Sequence, residues 1–112
     1  MDSILTSIKK LLGIEEDYTQ FDIDIIIHIN SVFMSLNQMG VGPEIGFTIT
    51  DKTKKWTDYL AAGINLEAVK SYIYLKVRLI FDPPSSAFVL EAVERQIKEF
   101  EWRITNQAEG GV

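Results

Sequence analysis

Phe81-Asp82-Pro83-Pro84-Ser85-Ser86 separates two apolar segments of this chain and sets one helix apart from the next. Upstream, Leu66 to Phe81 reads as a strongly apolar helix. Pro83 and Pro84 end it, because proline has no amide hydrogen to donate and disfavours helical geometry in the residue before it. Ser85 or Ser86 then accepts from the free amides of a new helix that runs to about Ile104. Both flanking segments carry more apolar surface than one small core uses.

Working outward, Asp2 or Ser3 caps a short first helix in which Ile4, Leu5, Ile8, Leu11 and Leu12 share a side, and Gly13 ends the run. The acidic stretch Glu15-Glu16-Asp17 connects to a second helix, opened by Thr19 or Asp22, which continues to about Met39 and stops at Gly40. Its main stripe is Ile25, Ile29, Val32, Phe33, Leu36 and Met39, while Ile23, Ile27 and Met34 form a second apolar line on another side. A helix with two such lines is either central to the fold or covered by another subunit. From Gly40 to Thr50 the glycines and Pro43 break helical geometry, and Ile45, Phe47 and Ile49 alternate with Gly46, Thr48 and Thr50 as in a strand. With no second convincing strand, the segment is either an extended loop or pairs with the same segment of a neighbouring subunit. Asp51 is expected to cap a short helix carrying Trp56, Tyr59 and Leu60 and ending near Gly63. Asn65 is expected to cap the long helix, with Glu67 in its first turn. The expectation is an all-α fold, a small bundle of about five helices with an extended glycine-rich loop at 40–50. Residues 1–104 form a single domain, and the polar, glycine-rich 105–112 a flexible tail.

At 112 residues the chain has the size of one domain and buries about two-thirds of the surface its unfolded form exposes. It has no cysteine, so disulfides and thiolate metal sites are excluded. Lys9 and Lys10 lie inside an amphipathic repeat rather than ahead of an apolar run, which is not the pattern of a secretory leader. No stretch of about 18 apolar residues is present, and no membrane contact is expected. Eleven basic against 16 acidic side chains give a net charge of minus five and a pI near 4.8. Such a balance disfavours a phosphate-gripping surface, yet repulsive walls would let a duplex slide past.

Catalytic constellations are missing from the pattern. His28 is the only histidine, so one chain cannot assemble a Ser-His-Asp triad or a zinc site of ordinary composition. Gly40-Val41-Gly42-Pro43 is too short for a phosphate loop and lacks its lysine. Glu15, Glu16 and Asp17, like Asp22 and Asp24, read as solvated surface. No catalytic residue, cofactor or metal ligand is assigned.

Surface features resist the bland reading. Projected at 100° per residue, Val89, Leu90, Val93, Ile97, Phe100 and Ile104 make the core-facing stripe of the last helix. Phe88, Arg95 and Trp102 fall on nearly the opposite side, framed by Glu91, Lys98 and Glu99, a composition favoured at interface hot spots unless a long loop covers Trp102. Lys76 falls in the middle of the apolar arc Leu66, Val69, Tyr72, Ile73, Val77, Leu79 and Ile80. It either snorkels outward or pairs with an acid across a subunit contact.

The segment Tyr72-Ile73-Tyr74-Leu75-Lys76-Val77-Arg78-Leu79-Ile80-Phe81-Asp82-Pro83-Pro84, followed by Ser85-Ser86-Ala87-Phe88 and Gln96-Ile97-Lys98-Glu99-Phe100-Glu101-Trp102-Arg103, resembles the small head-to-tail connector (adaptor) proteins of long-tailed bacteriophages. The resemblance also extends to proteins described as acting in phage DNA packaging. The resemblance spans Ile4 to Arg103 and carries no catalytic residues. It implies a structural virion protein that forms a homo-oligomeric ring of about a dozen copies, as heterologous contacts do when they close. The ring sits below the portal, extends the channel through which DNA passes without specific binding, and offers a surface to the next head-completion or tail protein. It implies a place at the head-tail junction of the virion, in the host cytoplasm during assembly, and a prophage as one source. Family members reach the portal with the C-terminal helix and tail, which maps onto Phe88, Arg95, Trp102, Arg103 and the residues after Ile104. The two-sided second helix with Ile23, Ile27 and Met34, the helix bearing Lys76, and the loop bearing Phe47 are the alternative subunit contacts. Two readings from other classes are a small helical interaction or accessory subunit unrelated to virions and a helix-turn-helix DNA binder. The acidic balance and the lack of a basic recognition helix oppose the second.

Overall fold

Ser3 starts the first helix: its Oγ accepts from the Thr6 amide at 3.2 Å, satisfying one of the free donors of a helix N-terminus. The computed structural model describes residues 3–110, with side chains through Asn106, so Asp2 as a cap lies outside the described residues. The helices are α1 (Ile4–Leu11), α2 (Asp22–Gln38), α3 (Trp56–Tyr59), α4 (Ile64–Phe81) and α5 (Ala87–Gly110). Among the described residues there is no strand, only an isolated bridge between Ser3 and Lys55, so the all-α expectation holds.

The core-facing side of α1 is Ile4, Leu5 and Ile8, all buried against α2, whereas Leu11 of the expected stripe is exposed. Lys9 is buried as well. Its ammonium donates to the carbonyl oxygens of Glu16 at 3.0 Å and Tyr18 at 2.8 Å and lies 2.8 Å from an Asp22 carboxylate oxygen. A lysine can be buried here because two of its donors are bonded to carbonyls and a carboxylate lies beside its charge. That cluster fixes the acidic connection against the start of α2, where Phe21 occupies the cap position without a side-chain bond and neither Thr19 nor Asp22 caps.

α4 lies between α2 and α5, packing against both. Its buried residues fall on two sides: Leu66, Val69, Ile73 and Val77 follow one line, and Tyr72 and Leu75 another, with the Tyr72 hydroxyl donating to Glu101 of α5 at 2.9 Å. α4 is therefore the middle of the three long helices, and α2, although it packs against both α1 and α4, is covered along one of its two apolar lines only. Its main stripe from Ile25 to Leu36 is buried, but Ile23, Ile27 and Met34 are exposed. α4 ends at Phe81 ahead of the two prolines as expected, and Ser86 caps α5, with its Oγ 3.4 Å from the Val89 amide and its carbonyl accepting from Leu90 at 2.9 Å. Ile80 and Val89, both expected on apolar sides, are exposed at this junction.

Several boundary expectations are corrected. Asp51 caps no helix; it accepts from the Thr53 amide and hydroxyl in a tight local turn, which holds its carboxyl below the usual carboxylate range. The short helix is capped instead at Lys55, whose amide donates to Asp58 at 2.8 Å. Gly63, not Asn65, occupies the cap position of α4, in a backbone conformation (φ 149°) that favours glycine. α5 continues past Ile104 to Gly110, so most of the expected tail is helical, and residues 111–112 lie outside the described residues.

The 40–50 segment is a loop, and the reason its alternating pattern makes no strand within the chain is Asn30. That side-chain amide accepts from the Ile49 N–H at 2.8 Å and donates to the Ile49 carbonyl at 2.9 Å, the two bonds a neighbouring strand would supply. Phe47 then packs with Phe33 and Tyr59 in an aromatic trio with centroids 4.6 to 5.1 Å apart.

Candidate functional site

Two unlike apolar faces remain uncovered, one on each helix flanking α4. The first lies along α5. Phe88 is 77% exposed and Trp102 68%, so no loop among the described residues covers Trp102. Arg95 and Arg103 are exposed beside them, with the Arg103 guanidinium donating to Glu99 one turn back. At ~1.5 Å per residue, Phe88 and Trp102 stand about 21 Å apart along the helix, with Arg95 midway. The four residues share a helix but not one contact point.

Trp102 and Arg103 belong to a groove of about 530 Å³ formed by the start of the glycine-rich loop, the N-terminal end of α4 and the C-terminal part of α5. Its walls are mainly apolar, with Val41, Leu60, Ile64 and Ala68 facing Trp102 and Ile104, while Arg103, Asn65 and Asn106 supply polar atoms at the edge. Ile64 is 86% exposed there. Burial of apolar area of this kind is the usual source of binding free energy, at about 25 cal/mol per Å² removed from water.

The second face lies along α2. Ile23, Ile27 and Met34 repeat at spacings of four and seven residues, so they form one line on the helix surface, and Ile27 and Met34 also line a second concavity of about 620 Å³ beneath the 45–48 segment. Ile45, at 99% exposure, stands at its rim. Phe47 is half-buried in its own subunit's aromatic trio. Lys76 is half-buried on α4 with its ammonium 6.0 Å from the centre of the Tyr72 ring, in reach of a weak cation–π attraction, and no acid among the described residues pairs with it.

The sequence pattern singled out Phe88, Arg95, Trp102, Ile23, Ile27 and Met34, and all are solvent-facing. Ile45 and Ile64 were missed as surface residues, since an isoleucine at loop or helix start reads as core unless its neighbours are known. Lys9 was missed too; only Asp22 at a suitable distance along the chain hinted at a partner. Among the described residues no group of three or more His, Cys, Asp or Glu could hold a metal ion, and no helix is long and apolar enough to cross a membrane.

A family model described as phage connector protein matches residues 4–111. No curated protein and no solved structure matches the chain.

Proposed function

The chain belongs to the phage connector protein family over nearly its whole length, and we propose from that membership that it is a structural virion protein, a ring subunit at the head-to-tail junction. The ring docks below the portal, extends the DNA channel and receives the next head-completion or tail protein. The observation that carries this reading is the pair of unlike apolar faces on opposite sides of α4. A subunit with two different faces associates head to tail, and such contacts repeat about an axis until they close. A chain with one self-complementary patch would instead stop at a two-fold dimer.

In this reading the outer face of α5, with Phe88, Arg95, Trp102 and Arg103, is the partner surface, its Phe88 and Arg95 end presented to the portal, while Ile23, Ile27 and Met34 on α2, with Lys76 on α4, serve contacts between copies. Aromatic and arginine side chains are enriched where interfaces concentrate their free energy. DNA passes without specific binding, in keeping with a net charge of minus five. Family membership is what separates this role from that of an accessory subunit unrelated to virions. Portal affinity of Phe88→Ala tests it. Because Phe88 is exposed, the variant should melt with the parent chain, while binding to the cognate portal weakens by about 2 kcal/mol, roughly 30-fold. Unaltered portal affinity removes the α5 face from the docking surface.

A further inference from the structure

We propose that the turn Pro43–Gly46 is a preformed knob whose Glu44–Ile45 tip enters the Trp102 groove of the neighbouring copy, so that this one loop sets the direction of assembly. The inference rests on the connector reading and assigns the groove to a second copy of the chain rather than to the portal. The turn is closed by the Gly46 amide donating to the Pro43 carbonyl at 2.9 Å, which places Glu44 and Ile45 at its two central positions. Asn37 holds it from behind, its amide nitrogen donating to the Pro43 and Glu44 carbonyls at 3.1 and 3.3 Å, and Asn30 anchors the segment again at Ile49. An isoleucine held 99% exposed on a turn fixed at both ends is poorly explained by its own fold. Held in this way, it loses little conformational freedom on docking.

The groove suits that tip in shape and in charge. Its apolar walls, Leu60, Ile64 and Trp102, match a branched aliphatic side chain, and the adjoining Glu44 carboxylate meets Arg103 at the edge. Arg103 already pairs with Glu99, but a guanidinium carries five N–H donors and can serve two carboxylates. The same loop builds one wall of the groove through Val41 and Gly42 and carries the knob a few residues later. Each copy thus offers one knob and one groove that cannot meet within itself, since the Ile45 side chain touches almost nothing in its own chain. Docking there would leave Phe88 and Arg95, toward the other end of α5, free for the portal.

The chain has no cysteine, so I45C and A68C together provide one reactive pair for each knob-in-groove contact. A bridge closed within one chain leaves a monomer by mass and so is told apart from a link between copies. Under mild oxidation, with the cognate portal present and absent, the double variant should give a reducible ladder of linked copies. Each single variant should stop at the dimer at most, and I45D, which cannot disturb the core, should slow assembly at least tenfold. Assembly that proceeds with no 45–68 ladder and unchanged by I45D overturns the knob, placing the portal or another face in the groove, while the connector reading stands. I45C alone dimerising as fast as the double variant forms its ladder shows a two-fold contact and overturns it as well. A chain that stays monomeric at every concentration, even with the portal, removes both.

Discussion

Lys9 shows how much one side chain can decide. Its ammonium joins α1 to the acidic connection and to the start of α2 through two carbonyls and Asp22, and a residue 2% exposed with three partners is a structural cation. Lys9→Met should cost about 2–4 kcal/mol of unfolding free energy, since it leaves Asp22 and two carbonyls without their donor. Replacing Asp22 by Leu at the same time should recover part of that loss, which urea unfolding of the three variants will measure. Tyr59 makes the opposite case. Its hydroxyl has no partner among the described residues, and burial pushes its pKa up to about 12. The folded chain therefore keeps this proton between about pH 10, where the unfolded phenol ionises, and pH 12. Stability is fully present below that window and falls as pH rises through it, by at most ~1.4 kcal/mol per pH unit for this group. Tyr72, raised by burial and by its bond to Glu101, acts in the same direction. Tyr59→Phe should flatten the alkaline limb of the stability profile and leave neutral-pH stability equal or higher by about 1 kcal/mol.

Among the elements, the 40–50 loop depends most on backbone geometry. Gly42 has φ +83°, and a Cβ there would lie 2.5 Å from Cε1 of Tyr59, so the loop can approach the aromatic trio only through a glycine. Gly42→Ala should destabilise the chain by about 1–3 kcal/mol, whereas Gly46→Ala, with open space around its Cβ position, should cost only the strain of its positive φ, about 1 kcal/mol. Thermal unfolding of the two variants checks the order. The helices themselves were legible from periodicity and from the proline stop after Asp82, because those signals are local. Caps were less legible: Asp51 and Asn65 had the right chemistry for helix starts, but the Thr53 bonds took the first and Gly63 displaced the second. The alternation of Ile45, Phe47 and Ile49 was correctly seen and had no strand partner, since a side chain, Asn30, supplied the missing bonds from 19 residues away. Which of two apolar helices is central was not legible, because that depends on what lies on both sides. The outward face of α5 was, since Phe88, Arg95 and Trp102 recur every seven residues opposite an apolar stripe whose Val93, Ile97 and Ile104 are buried.

At the scale of the molecule, the Cα radius of gyration is 13.8 Å, close to the ~13 Å of a compact domain of this length, but the extents are 41 × 36 × 20 Å. A slab 20 Å thick is about two helix diameters, so helices on either side of α4 keep a face in solvent. Such a slab leaves Ile23, Ile27, Met34, Phe88 and Trp102 exposed on its outer helices, the apolar faces on which the proposed contacts rest. In the proposed ring the α2 side of one copy meets the Trp102 end of α5 on the next, and that contact repeats about an axis until it closes. Native mass spectrometry of the chain over a range of concentrations, with and without its portal, reads whether the assembly closes. One closed assembly of fixed stoichiometry, about a dozen copies, is expected, with no open-ended series of masses; a dimer that never grows, or a monomer that persists with the portal in excess, would rule out the ring.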